Sequence, residues 1–450
     1  MAGLLTPLET GFNIGDLRVP NRLVIQPMEC CDSLDGYPSD LTLQRYTTYA
    51  KGGAGIVVVE ACSVTDKSRA RLHQLVVDKS HQDGITKLVK TFNENKTNPD
   101  SLLFVQITHS GSVSDPKFSE VVRVCEPKGP DNTHGRILTK EDIKEIVGSF
   151  VDAAEVAYKA GANGVDVKCC HGYLLGQFLR PANTRDDGYG GSLEDRMRIV
   201  GEVIKGIRER VKDSKFKIML RFSAYEGIQG GIGARTADEQ PFKPDEIDRI
   251  DLSESIKMAR KFVEWGVDMP DVTAGIPKFN GGVWVRPQKL PAGTIDNPLM
   301  FHHMRFAKAF KDAGLGVPII ASGFSAAGKD LPKLANAALR GGVADATGIG
   351  RQSLADPDFR RISQGTHTAC TRCGRCSSLL VGQIPVGCGQ HNKVYRMLSD
   401  TVRKIHLQPQ PAMARLAVEP VKEQLPLAAE KQPVVETKPP QKPGDTAIRH

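Results

Sequence analysis

Aromatic residues are scarce in this chain, 6% of 450 residues with only two tryptophans. That leaves little from which to build an aromatic cage for a methylated cation. No apolar run approaches the roughly 20 residues that span a bilayer, and the N-terminus, with Glu9 and Asp16 among scattered apolar residues, lacks the basic-then-apolar order of a signal peptide. No strand-like run is followed by the G-x-G-x-x-G turn of dinucleotide binding, and no short-period repeat is present. Charge of one sign is also lacking: 60 Lys+Arg against 52 Asp+Glu leaves +8 spread over the whole length, a poor footprint for a nucleic-acid partner. These absences describe a soluble, cytoplasmic protein with no membrane span. In a reducing compartment its ten cysteines are not a disulfide scaffold. The sequence leaves open whether the chain forms a homo-oligomer.

What is present is a 40% hydrophobic content, enough for a large core, punctuated by Gly and Pro into short β-branched runs alternating with segments of helical period. Eight runs stand out: Leu23 to Met28, Gly55 to Ala61, Leu102 to Ile107, Gly164 to Lys168, Phe216 to Phe222, Val267 to Thr273, Val317 to Ser322 and Ala344 to Ile349. Helix candidates lie between them, among them Ser39 to Lys51, with Ser39 as cap, and Lys140 to Ala160, where Thr139 and Asp142 have capping-box spacing. Eight strand–helix units predict an α/β fold closed into a (β/α)8 TIM barrel over residues 1–365; a doubly wound open sheet is the alternative. Residues 366–400 form a four-cysteine segment. Residues 401–450, proline-rich and without aromatics beyond Leu407, read as a flexible tail.

Cys370, Cys373 and Cys376 stand at C-x2-C-x2-C spacing and Cys388 follows after an apolar excursion. Three thiolates on one loop and a fourth returning to them can complete a four-thiolate shell. Zinc sites usually come as two separated knuckles, so this spacing favours a 4Fe-4S cluster over zinc. Cys30, Cys31, Cys62, Cys169 and Cys170 fall near the ends of the first, second and fourth runs and read as small buried apolar residues.

In such a barrel the chemistry sits at the carboxyl ends of the strands, and those positions are unusually polar. They offer Gln106 and His109 after the third run, Lys168 and His171 after the fourth, and Arg221 on the fifth. Gly323 and Gly350, with Arg351 beside the latter, follow the seventh and eighth, where these barrels bind phosphate through backbone N–H groups. Any one of these could be an ordinary satisfied polar residue; their placement on one rim points to a site.

The residues also resemble a known family. Asn21-Arg22 with Pro27-Met28, the run Lys168-Cys169-Cys170-His171-Gly172-Tyr173-Leu174-Leu175, and the stretch from Arg180-Pro181 through Asn183, Arg185, Asp187 and Tyr189-Gly190-Gly191-Ser192-Leu193-Glu194 to Arg196 are similar to old yellow enzyme and its relatives. With the cysteines, the resemblance is to the iron–sulfur branch that includes 2,4-dienoyl-CoA reductase, enoate reductase and trimethylamine dehydrogenase, over about Leu5 to Tyr395.

The resemblance implies an NADH:flavin oxidoreductase carrying FMN across the barrel mouth. Pro27, Met28 and Ala61 would flank the flavin ring, Gln106 its pyrimidine edge and Arg221 its N1 and O2. Gly323, Gly350 and Arg351 would take the phosphate. Tyr173 matches the proton donor of ene reductases and His171 a residue that binds the substrate carbonyl. The sequence departs from the pattern in carrying Lys168 where relatives often have a first histidine, and Glu29 where they often have Cys or Thr. Relatives with the cluster usually continue into FAD- and NAD(P)-binding domains, for which no fingerprint follows here, so an external electron carrier is expected: a ferredoxin, a flavoprotein or NAD(P)H. The expected activity is reduction of an electron-poor C=C bond in a small unsaturated substrate. The alternatives are an amine dehydrogenase of the trimethylamine dehydrogenase type and a non-catalytic flavin and iron–sulfur electron-transfer subunit.

Overall fold

A computed structural model of the chain describes residues 5–126, 134–280 and 298–406. Eight short strands, β1 Leu23–Ile25, β2 Ile56–Ser63, β3 Leu102–Thr108, β4 Gly164–Cys169, β5 Lys217–Tyr225, β6 Met269–Ala274, β7 Ile320–Ala321 and β8 Ala346–Ile349, pair in parallel with their neighbours. The ring closes where β8 meets β1 through Thr347 and Leu23, so the open-sheet alternative falls. All eight expected runs are strands. Four are shorter than the sequence suggested, and the two most shortened are bounded by proline: β1 stops before Pro27 and β7 starts after Pro318, because proline has no N–H to give a ladder.

Both helix starts read from sequence are present. Ser39 accepts the N–H of Thr42 at the head of Asp40–Gly52, and Thr139 forms a capping box with Asp142 at the head of Lys140–Lys159. Apolar residues of these and the other outer helices pack on the outward face of the strands as one continuous core. The amino-terminal end of the barrel is plugged by an antiparallel hairpin, Phe12–Ile14 with Leu17–Val19. Its Ile14 and Val19 pack against Val24, Phe104, Met219 and Met269. Because side chains alternate along a strand, the next inward positions are two residues on: Gln26, Gln106, Arg221 and Asp271, with Asp166 and Ser322 at the same level. A polar layer thus lies on an apolar floor and opens towards the carboxyl ends of the strands.

The four-cysteine segment belongs to the same compact unit as the barrel, Met1–Lys404. Its last helix, Lys393–His406, crosses the 400/401 boundary read from sequence, since Val402 is buried with the segment. The proline-rich stretch from residue 407 lies outside the described residues, as does Trp284. Among the described residues no helix is long and apolar enough to cross a membrane.

Candidate active site

The polar layer is tightly connected. Gln26 donates from Nε2 to the Asp271 carboxylate at 2.8 Å and to Ser322 Oγ at 2.6 Å, and the Ser322 hydroxyl donates to Asp271 at 2.8 Å. Gln106 donates from Nε2 to Asp166 at 2.6 Å, which leaves its amide oxygen as the group free to face a ligand. The Arg221 guanidinium pairs with Asp271, Nε lying 3.3 Å from the carboxylate, yet that Nε and Asp166 Oδ1 are buried without a hydrogen-bond partner. Unsatisfied buried polar atoms are costly, and here they belong to a cation and a carboxylate beside the mouth. Burial, reinforced by the Asp271 charge, lifts the Asp166 carboxyl to about 7. Sequence reading singled out Gln106 and Arg221 but missed Gln26, Asp166, Asp271 and Ser322, which the period of two along each strand could have located.

Above this layer, β4 and its outgoing loop bring three expected residues together. The Lys168 ammonium stands 3.3 Å from the centroid of the Tyr173 ring, and burial lowers its pKa to about 8. His171 occupies left-handed backbone, φ 61°, and its Nε2 lies 3.2 Å from Thr273 Oγ1. Burial, followed by the Arg221 and Lys168 cations, holds its pKa well below the usual value, so the ring is neutral. The Tyr173 hydroxyl donates to Glu29 Oε2 at 3.2 Å. Its pKa is pushed well above 10 by burial and then by the Glu29 charge, so the phenol is protonated. Arg71, in the loop after β2, faces the other Glu29 oxygen at 3.6 Å. No sequence signal marked Arg71. His109 at the end of β3 is buried and neutral, its pKa lowered to about 4 by desolvation, with Nδ1 accepting the Gly111 N–H at 3.1 Å.

Of the remaining expected residues, Ala61 is buried with its carbonyl held by Gln74 at 2.8 Å. Pro27 and Met28 leave β1 towards β8, where a Cβ at Gly350 would stand only 2.9 Å from Met28 Sδ. Gly323 has φ 94°, a conformation suited to glycine. The N–H groups of Gly350 and Gln352 converge on Ser325 Oγ at 2.9 and 3.0 Å, the arrangement of donors that a phosphate oxygen uses. Arg351 lies on the far side of this turn, lining a cavity with Cys370, Cys373, Cys376 and Cys388.

That cavity gathers all four expected thiols. Among the described residues no three His, Cys, Asp or Glu side chains are grouped to hold one metal ion. Gln352 anchors the loop: its Oε1 accepts the Cys370 N–H at 2.8 Å and its Nε2 donates to the Thr368 carbonyl at 2.9 Å. The segment also docks on the loop after β1. The Cys30 carbonyl accepts the Val386 N–H at 2.8 Å, and Cys30, Leu379 and Val386 pack with Met28, Leu354 and Cys376. Behind Cys30, Arg45 bridges Asp32 and Glu60, and burial raises the Glu60 carboxyl to about 7. Cys30, Cys31, Cys62, Cys169 and Cys170 are buried, as read from sequence.

The long motif from Arg180 to Arg196 is scaffolding. Arg180 forms a buried ion pair with Glu226 at 2.6 Å, Asn183 donates to the Phe178 and Tyr189 carbonyls at 2.9 and 2.7 Å, and Arg196 caps the Leu179 carbonyl at 2.7 Å.

Residues 6–260 match the family described as NADH:flavin oxidoreductase / NADH oxidase. An NADH oxidase of Thermoanaerobacter brockii is 30% identical over 382 residues, which cover 82% of this chain and 52% of that protein. A cinnamate reductase of Clostridium sporogenes is 28% identical over 393 residues, 83% of this chain and 55% of its own length. An NADPH dehydrogenase of Geobacillus thermodenitrificans is 31% identical over 274 residues, 60% of this chain and 73% of that one. The chain thus spans about half the length of the first two relatives. Among solved structures, a 2-naphthoyl-CoA reductase in complex with 2-naphthoyl-CoA shares the fold, with TM-score 0.72 and 23% identity over 87% of this chain and 57% of that one.

Proposed function

The chain belongs to the NADH:flavin oxidoreductase / NADH oxidase family, and from that footing we propose that it is an FMN-dependent oxidoreductase that reduces the C=C bond of an enone or enoate. The observation that carries this reading is the convergence of a protonated phenol, a neutral imidazole and an ammonium, Tyr173, His171 and Lys168, at one end of a closed barrel. FMN would be held by Pro27, Met28, Ala61, Gln106 and Arg221, with its phosphate at Gly323, Gly350 and the backbone of Arg351, whose side chain lines the cysteine cavity. The Arg221 Nε, ion-paired but without a hydrogen bond, and the converging amides of Gly350 and Gln352 suit that group. When bound, FMN supplies the hydride that goes to the β carbon.

The chain's own residues do the rest. Lys168, charged below about pH 8, and His171 stabilise negative charge developing on the substrate's carbonyl oxygen. Tyr173 gives a proton to the α carbon as general acid. Asp166 holds Gln106 in one amide orientation, and Asp271 fixes the Arg221 guanidinium. Cys370, Cys373, Cys376 and Cys388 would hold a 4Fe-4S cluster, whose chemistry would be one-electron transfer from an external carrier such as a ferredoxin, a flavoprotein or NAD(P)H. The amine-oxidising alternative gains nothing from Trp265, which packs on Phe262 of the same outer helix, away from the mouth.

Anaerobic purification with flavin identification and iron and acid-labile sulfide assays tests the reading. Released FMN, with iron and sulfide in a four-to-four ratio expected of the cluster, supports it; stoichiometric zinc without sulfide or flavin overturns it. Reduced protein mixed with a cinnamate-type enoate should be reoxidised with formation of the saturated acid.

A further inference from the structure

Tyr173 and Glu29 meet across the mouth in an arrangement that a lone proton donor does not need. The phenol donates to Glu29 Oε2 at 3.2 Å. Its proton is therefore engaged by the Glu29 side chain. If Tyr173 gave a proton to carbon unaided, a phenolate would be left that distance from the Glu29 charge, and two like charges so close in a buried site cannot both persist. Lys168 and Arg71 lie near enough to soften that repulsion, but neither donates a hydrogen bond to the phenol oxygen. Glu29 itself is only half-satisfied: its Oε1 is buried without a hydrogen-bond partner, as is Arg71 Nε, 3.6 Å away. The Arg71 side chain is 28% exposed against 10% for Glu29, so the Arg71 side is the less buried end of the pair.

We propose that Glu29 is the proton source behind Tyr173, so that the pair forms a two-step relay from solvent to the substrate's α carbon. This rests on the reading of Tyr173 as proton donor. Glu29 first takes a proton from solvent and the hydrogen bond reverses, Glu29 O–H donating to the phenol oxygen. The phenol hydrogen is then free to turn to the substrate. As the Tyr173 O–H bond breaks and the α C–H bond forms, the Glu29 proton moves to the tyrosine oxygen. The hydride at the β carbon comes from the reduced flavin; the relay supplies the one proton that completes the saturated product. Tyr173 ends neutral, and Glu29, its proton passed on, again accepts the phenol hydrogen bond. The strongly raised phenol pKa agrees with this, since burial and Glu29 both oppose the phenolate that the relay avoids. Arg71, positioned beside Glu29, holds the carboxylate between turnovers.

The test is a proton inventory of the substrate-reduction half-reaction in mixtures of light and heavy water, on the unmodified enzyme and on Glu29→Gln. Two protons in flight give a bowed plot; Glu29→Gln, of nearly the same shape but with no proton to pass, should give a straight one and a rate about 10²-fold or more lower, the scale of losing an acid–base group. A straight plot for the unmodified enzyme overturns the relay even if the variant does not fold, and so does a bowed plot retained in Glu29→Gln. A second measurement needs no flavin: the ultraviolet titration signal lost in Tyr173→Phe should move to lower pH in Glu29→Gln, and an unmoved signal also counts against the relay. If Tyr173→Phe reduces substrate at the unmodified rate, the assignment of Tyr173 fails instead, and the two failures are distinct.

Discussion

The ammonium of Lys168 sits 3.3 Å over the centroid of the Tyr173 ring, with four residues of chain between them folded back by His171 and Gly172 in left-handed backbone. A cation against a ring face is attracted by the ring quadrupole. The contact also places the candidate oxygen-stabilising charge and the candidate acid in one pocket.

Tyr173→Phe removes only a hydroxyl. Flavin binding and flavin reduction should survive, while reoxidation by an unsaturated carbonyl compound slows by roughly 10²–10⁴-fold. Rapid mixing of the reduced variant with an enone measures this directly.

Lys168 has a folded-state pKa lowered to about 8 by burial. Below that pH it is an ammonium and above it a neutral amine, so kcat/KM for an enoate should fall as pH rises through about 8. Lys168→Met should be slower at every pH and lack that limb. A pH profile of both proteins decides the matter.

Gln352 satisfies the Cys370 N–H and the carbonyls of Thr368 and Asp356. Gln352→Ala strands these partners in a largely buried place, at about 1–3 kcal/mol for each group left unpaired. Thermal unfolding should shift down. The iron content should fall more than the flavin content, because Cys370 loses its anchor.

Arg180→Ala leaves the fully buried Glu226 carboxylate without its guanidinium. Breaking a buried pair on one side costs about 3–5 kcal/mol, so denaturant midpoints should drop markedly although neither residue is placed in the reaction. A variant as stable as the parent would show that the pair is not part of the scaffold.

Cys373→Ser should abolish iron and sulfide binding and leave FMN in place. The thiol is exposed, in contrast to buried Cys30, so its loss opens no core cavity. Metal and flavin analysis of the anaerobic protein checks this.

The sequence by itself determined the barrel and the cysteine cavity, because both follow from local rules. Short β-branched apolar runs and Gly–Pro punctuation marked all eight strands, the Ser39 and Thr139 caps marked helix starts, and three thiols two residues apart must fall on one loop. The alternation of side chains along a strand could have revealed Asp166 and Asp271 beside Gln106 and Arg221. Only the tertiary structure decided which groups face one another. Glu29 and Tyr173 are 144 residues apart in the chain, Gln26 and Asp271 are 245 apart, and Arg71 comes from a loop with no motif at all. Closing eight strands into a ring brings their carboxyl ends onto one rim whatever the sequence distance. The hydrogen-bond partners there are then set by loop paths and burial, which no local pattern encodes. The turn after β8 shows the same division: the Gly350-Arg351 pair was legible, but that its amides meet on Ser325 while Arg351 turns to the cysteine cavity follows from how two loops pack.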